Sequence, residues 1–238
     1  MGLSDRIFKT DVVQQEPLKL DAATSALAEL YGGMAMDKQW DLYKVIGSKS
    51  GKINDAKGTI KFGFWTSFPV QILGTYDIPS GNFLWAWSAI HPLSSSDMIK
   101  QALQLKSYGV KNGIAMLSKE LFTAEKLHLN LIGSIASGMF DASGYYLVEE
   151  KDSITVVSLN GDKINSKAPA GHQRVELVIP EWFSWFEMID ERHAIVNYLT
   201  AKGYEITWEG DEMRAKLEEE GFKAVFDAER RLVEFEGV

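Results

Sequence analysis

The hydrophobic period changes several times along this chain, and each change marks an element. Leu20, Ala23, Leu27, Leu30 and Met34 recur at helical spacing in LDAATSALAELYGGMA. The spacing predicts a helix from about residue 20, with Asp21 as N-cap and Gly32-Gly33 ending or weakening it. WDLYKVI (40–46) is β-branched and aromatic and reads as a strand, and GSKSGKINDAKG (47–58) reads as loop. TIKFGFW (59–65) and FPVQILGTYD (68–77) alternate like strands, with Pro69 near the start of the second, where a missing N–H is tolerated. IPSGN turns the chain, and FLWAWSAI (83–90) completes a four-strand antiparallel meander.

Beyond Ile90 the period returns to that of a helix. Ser94 and Asp97 fit a capping pattern before Ile99, Ala102 and Leu103, with Gly109 as the C-terminal stop. A second helix is expected over 119–138, where Leu121, Ala124, Leu127, Leu131, Ile135 and Met139 share a face. GYYLVEE and SITVVSL form a hairpin pattern, Asn160-Gly161 is a turn, INSKAPAGHQ is irregular, and RVELVI (174–179) reads as a strand. Pro180 fits the first position of a helix that runs to Gly203, whole or broken near Asp190. After it come a strand at 204–208, a charged helix over DEMRAKLEEE and a closing hairpin. The expected fold is α+β: a mainly antiparallel sheet, helices on one face, a main domain over 1–180, and an αβαββ extension over 181–238 packed on it.

Strand alternation points Phe83, Trp85 and Trp87 to one side of their strand and Leu84, Ala86 and Ser88 to the other. A face with three large rings needs cover: burying one tryptophan removes up to about 250 Å² of surface, roughly 6 kcal/mol as an upper bound. The helices that follow are the natural cover. The ligand-binding alternative has Trp85 or Trp87 lining an apolar pocket, with Gln71 as the indole's partner and His91 directly after the strand. Gln71-x-Leu73-Gly74-Thr75-Tyr76 followed by Leu84-Trp85-x-Trp87 resembles the signature of an uncharacterised bacterial domain family of unknown function, over roughly residues 36–180. Where the family pattern carries an Asn after the second Trp, this chain has Ser88-Ala89-Ile90. The resemblance implies one α+β domain and no particular activity.

Charge and composition narrow the chemistry. A net charge of −8 and a pI near 5.1 give no basic surface for nucleic acid and disfavour anionic membranes. No apolar run reaches about 18 residues, so no spanning segment is expected. MGLSDRIFKTDVV lacks the basic and apolar regions of a signal peptide, and Arg6 spoils a myristoylation pattern. A cytoplasmic location follows as the expectation. The absence of cysteine removes disulfides, thiolate metal sites and Cys nucleophiles.

GSKSGKI has three residues between its glycines, and Ile53 where a P-loop needs a hydroxyl, so no nucleotide cofactor is expected. GSIASG does not have the spacing of a nucleophile elbow. His128 and His193 sit on apolar helix faces and read as packed histidines, and no zinc-ligand spacing joins them. His91 and His172 fall in expected loops, where either could serve a general base if an acid and a substrate stood beside it. Trp182, Trp185, Phe186 and Ile189 form an i, i+3, i+4, i+7 stripe that either docks on the sheet or anchors a partner or a homodimer. The leading expectation is a non-catalytic module for a protein partner or small apolar ligand. The alternatives are a hydrolase or isomerase using a His/carboxylate site, and a homo-oligomeric structural protein.

Overall fold

The computed structural model describes residues 16–93, 96–165 and 171–238. Ser94, the N-terminal stretch 1–13 and the middle of INSKAPAGHQ lie outside the described residues. In chain order the elements are β1 (Leu18–Lys19), α1 (Ala22–Ile46), β2 (Gly51–Asn54), β3 (Thr59–Phe62), β4 (Thr66–Asp77), β5 (Asn82–Trp85), α2 (Lys100–Asn112) and α3 (Ala115–Ser118). There follow β6 (Leu121–Thr123), α4 (Lys126–Met139), β7 (Gly144–Glu149), β8 (Ser153–Leu159), α5 (Asp162–Asn165), α6 (His172–Trp185), β9 (Phe186–Glu187) and α7 (Glu191–Ala201). The chain closes with β10 (Glu205–Glu209), β11 (Glu212–Leu217), β12 (Glu220–Phe226) and β13 (Leu232–Gly237). The α+β class expected from the sequence is what forms, and all pairings but β1–β9 are antiparallel.

These elements make two compact units, one from the described residues of Lys38–Lys167 and one from those of Gln15–Asp37 and Ala168–Val238. The sequence points to a boundary near Pro180, but the contacts put it before α6, and Pro180 lies inside that helix.

In the first unit β2, β3, β4 and β5 are the antiparallel meander, with β6 beyond β5, and β8 pairing with both β4 and β7. The meander begins later than the sequence suggests. Residues 40–46 continue α1, where Leu42 and Ile46 are buried four residues apart, a helical interval. The Gly- and Lys-rich stretch that reads as loop supplies β2 instead. Gly51 is buried there, and a Cβ at that position would come 2.6 Å from Ile60 and 2.8 Å from Phe62. Near its middle β4 shifts register against β8 between Ile72 and Gly74, so Ile72 and Leu73, neighbours in sequence, are both buried. Gly74 pairs with Trp85; a Cβ on it would overlap the Phe83 ring and lie 2.6 Å from the Leu84 carbonyl oxygen.

The helices of this unit also differ in detail. A 3₁₀ turn at Asp97–Ile99, capped by the Ser96 side chain, precedes α2, which runs past Gly109 and stops at Gly113 with φ 68°. Gly109 is needed for packing, since a Cβ there would lie 3.0 Å from the Leu117 backbone. The helix expected over 119–138 divides into β6 and α4, with Glu125 and His128 forming a reciprocal cap between them.

In the second unit α1 starts where Asp21 Oδ1 accepts from the Ala23 and Thr24 N–H groups at 3.0 and 2.9 Å. Gly32 and Gly33 do not end the helix; they leave room for the Trp182 and Tyr198 rings. RVELVI is helical, not extended: Val175, Val178, Ile179, Trp182 and Trp185 are buried at helical intervals. Of the two forms the sequence leaves open, the broken one forms: the run is interrupted before Asp190, whose Oδ1 accepts from the His193 N–H at 2.8 Å. The charged DEMRAKLEEE forms β11 and a turn where a helix is expected, because Met213 and Ala215 alternate inward against Phe222 and Ala224. The extension is therefore helix followed by the four-stranded sheet β10-β11-β12-β13.

Candidate functional site

The sequence-derived ligand candidates all lie in the first unit. Phe83 and Trp85 are fully buried and Trp87 nearly so, with the two indoles stacked at 6.5 Å and 16°. Trp85 Nε1 donates to the Met116 carbonyl of α3 at 2.9 Å, so helical cover satisfies the buried indole. Gln71 is not its partner. That side chain ties β4 to the start of α2, its Oε1 accepting from the Gln101 N–H at 3.3 Å. Trp87 Nε1 has no hydrogen-bond acceptor among the described residues, and the Lys106 ammonium lies 4.0 Å from the ring centroid.

His91 meets the geometric requirement for a general base only in part. Its Nε2 lies 3.2 Å from Thr75 Oγ1, which is 3.3 Å from Thr155 Oγ1. Its Nδ1 accepts from the Leu93 N–H at 3.1 Å and so carries a lone pair. A neutral ring must then hold its proton on Nε2 and donate it to Thr75. Burial pushes the His91 pKa below the usual histidine value, which keeps the ring neutral. In this pairing His91 cannot take the Thr75 proton. Ser88 is held separately by the Glu120 carboxylate.

The other histidines are also engaged. His128 Nδ1 accepts from the Glu125 N–H at 3.0 Å, and burial lowers its pKa too. His172 Nε2 faces the Gly221 carbonyl at 2.9 Å, while its Nδ1 meets the Tyr204 hydroxyl at 2.9 Å and Glu220 at 3.0 Å. His193 Nδ1 faces Glu29 at 3.2 Å. Among the described residues no group of three or more His, Asp or Glu is placed to hold a metal. In the same residues no helix is long and apolar enough to cross a membrane.

The 182–189 stripe closes on its own unit. Trp182, Trp185 and Phe186 are buried; Ile189 alone is exposed, at 52%. Trp182 and Tyr198 meet edge to face at 6.4 Å, and β9 carries Phe186 beside Leu18. The apolar anchor the stripe offers in the sequence is thus spent on packing, apart from Ile189.

The two most exposed aromatics among the described residues lie elsewhere, at the tip of the β3–β4 hairpin. Phe62 pairs with Thr66, and Gly63 turns the chain with φ 62°. Trp65 is 94% exposed and Phe64 87%. Lys52 on β2 stands directly opposite Lys61 on β3, both exposed, and the Lys49 side chain passes close to Gly63. Like charges placed opposite each other oppose strand pairing, so their presence at this end concentrates positive charge beside the rings. Asp55, the only acid in residues 47–65, lies in the 3₁₀ turn at the far end of the β2–β3 pair. Alternation in the sequence carries β3 through Trp65, whereas the strand stops at Phe62 and leaves the tip outside it. The signal was Phe-Gly-Phe-Trp, whose glycine interrupts the alternation and leaves two adjacent rings that no single strand face can hold.

No curated protein and no solved structure matches this chain. Residues 25–161 match a family described as "Family of unknown function (DUF6882)". That span takes in β2 to β8, the aromatic strand and the Phe64–Trp65 tip, and it starts and ends earlier than the resemblance over 36–180 suggests. It covers more than half of the chain, and the protein belongs to this family of unknown function.

Proposed function

We propose that this protein is a non-catalytic interaction module that docks a protein partner through the Phe64–Trp65 hairpin tip. One observation carries the reading: two adjacent aromatics stand almost wholly in solvent on a turn collared by Lys49, Lys52 and Lys61. Isolated apolar residues on a surface need no explanation, but neighbouring Phe and Trp rings on a projecting turn are the residue types that anchor interfaces. The partner that fits has an apolar pocket rimmed by Asp and Glu. Charge favours a protein over a lipid bilayer. The chain carries −8 overall, so an extended anionic membrane repels most of it, whereas a local acidic rim meets only the lysine collar. The pairing of His91 described above supports the non-catalytic side of this reading.

The test is comparative capture from a lysate of the source cells, using the intact protein, Trp65→Ser, Lys52→Glu/Lys61→Glu and the control Ile90→Ser. The reading expects one acidic protein held by the intact chain and the control, and lost from both tip variants. Its affinity, measured with the purified pair, should fall at least about 30-fold in Trp65→Ser, as for an interface anchor. Equal capture by all four proteins overturns the reading. So does tip-dependent binding to anionic phospholipid vesicles with no protein partner.

A further inference from the structure

A second, independent feature lies in the second unit, on the N-terminal side of α7. Asp190, Arg192, His193, Val196, Trp208 and Arg230 line a cleft of about 570 Å³, within the usual size of small-ligand sites. Most of its charges are already matched. Arg230 pairs with Asp190 at 2.5 Å, and His193 faces Glu29 at 3.2 Å. Arg230 has a left-handed backbone, φ 63°, which the local turn accounts for: its carbonyl accepts from the Arg192 N–H and its N–H donates to Asp227.

Arg192 is the exception. Its guanidinium carbon lies over the lining indole, 3.8 Å from the Trp208 ring centroid, and no carboxylate of a described residue pairs with it. A guanidinium stacked on a ring keeps its in-plane N–H groups directed outward, the geometry that accepts a carboxylate in two parallel hydrogen bonds. The stack also removes much of the side-chain freedom that binding would otherwise cost. Trp208 also meets the buried Phe226 ring, with centroids 6.0 Å apart and the planes tilted by 42°. Val196 and the exposed part of Trp208 supply an apolar wall beside the charge.

We infer that this cleft binds a small organic monoanion, its carboxylate on Arg192 and its apolar body against Val196 and Trp208. One anionic group fits because only one lining cation lacks a partner. The inference does not rest on the hairpin tip: the two features are in different units, and neither test depends on the other.

The experiment titrates the full chain with benzoate, with its neutral counterpart benzamide, and with inorganic phosphate. Binding is followed by calorimetry and by the Trp208 indole N–H signal, assigned with Trp208→Phe. Benzoate should bind saturably and move that signal, and benzamide and phosphate should each bind at least 10-fold more weakly. Arg192→Gln should reduce benzoate affinity at least 10-fold, with an unchanged melting temperature showing that the fold is intact. Three results overturn the inference: no saturable benzoate binding, benzoate binding that survives Arg192→Gln, or phosphate binding as well as benzoate.

Discussion

Asp37 is the carboxylate whose loss should cost the second unit most. Its Oδ1 takes the Arg174 Nη1 at 2.7 Å, and its Oδ2 takes the Lys202 Nζ at 2.5 Å and the Tyr198 hydroxyl at 2.9 Å. All three charged side chains are more than nine-tenths buried. At an effective dielectric of 20, unit charges 2.7 Å apart attract by about 6 kcal/mol, most of it offset by the cost of taking both ions out of water. Breaking such a group from one side is different, because the desolvation cost stays while the attraction goes. Asp37→Asn keeps the shape and removes the charge, turning an amide N–H₂ toward a donor. The expected loss is about 3–5 kcal/mol, a fifth or more of a typical domain's stability of about 5–15 kcal/mol. In melting temperature that is about 6–20 °C for a chain of this size. Urea unfolding followed by circular dichroism, with calorimetry beside it, measures the loss. The control is Asp141→Asn, which breaks an exposed pair with Lys38 and should cost no more than about 1 kcal/mol. If Asp37→Asn unfolds within about 1 kcal/mol of the intact protein, the buried group does not hold α1 to α6 and α7 as described.

Gly74→Ala should cost about 1–3 kcal/mol, because one of the atoms its Cβ meets is the backbone oxygen of Leu84 and cannot simply rotate away; chemical denaturation measures it. Trp65→Ser should leave stability within about 0.5 kcal/mol of the intact protein, since an exposed ring gives up little packing. Acid should weaken the fold through His91 and His128. Both have pKa values lowered by burial, so below about pH 6.5 the unfolded chain binds protons that the folded chain does not, and stability falls with pH. Denaturation midpoints at pH 7.5 and 5.5, with His91→Gln as comparison, should show that loss and its reduction in the variant. Alkali acts on Tyr198, whose pKa is raised by burial and by the Asp37 carboxylate. Above about pH 10 the unfolded phenol ionises while the folded one does not, so stability falls with rising pH, and less so in Tyr198→Phe.

Much of the first unit is legible in the sequence because alternation and ring burial act locally. Phe83 and Trp85 are hidden on one face of β5 as alternation requires, whereas Trp87, also buried, lies in the turn that follows because the strand stops at Trp85 and not at Ile90; Asp21 caps the helix it is expected to start. The misreadings have common causes. WDLYKVI and RVELVI are rich in strand formers, yet burial at helical intervals outweighs propensity in both. The glycines at 32, 33 and 109 read as helix ends, but each makes room for a neighbouring side chain or backbone segment. Gly51 hides a strand for the same reason. The candidate sites were less legible because they depend on distant partners. Nothing near Arg192 in sequence announces Trp208, and Trp185 and Ile189 share a stripe of which only the second residue reaches solvent.

The interaction reading rests on Trp65 standing in water in the free protein, and solvent exposure of that one ring is the most direct test. Uniform 5-fluorotryptophan labelling gives seven fluorine signals, one for each tryptophan, and Trp65→Phe identifies the one that matters. The account predicts that this signal responds most of the seven to a soluble paramagnetic agent, and that the signal of Trp85, with its ring fully buried, responds least. A Trp65 signal as protected as that of Trp85 would contradict it.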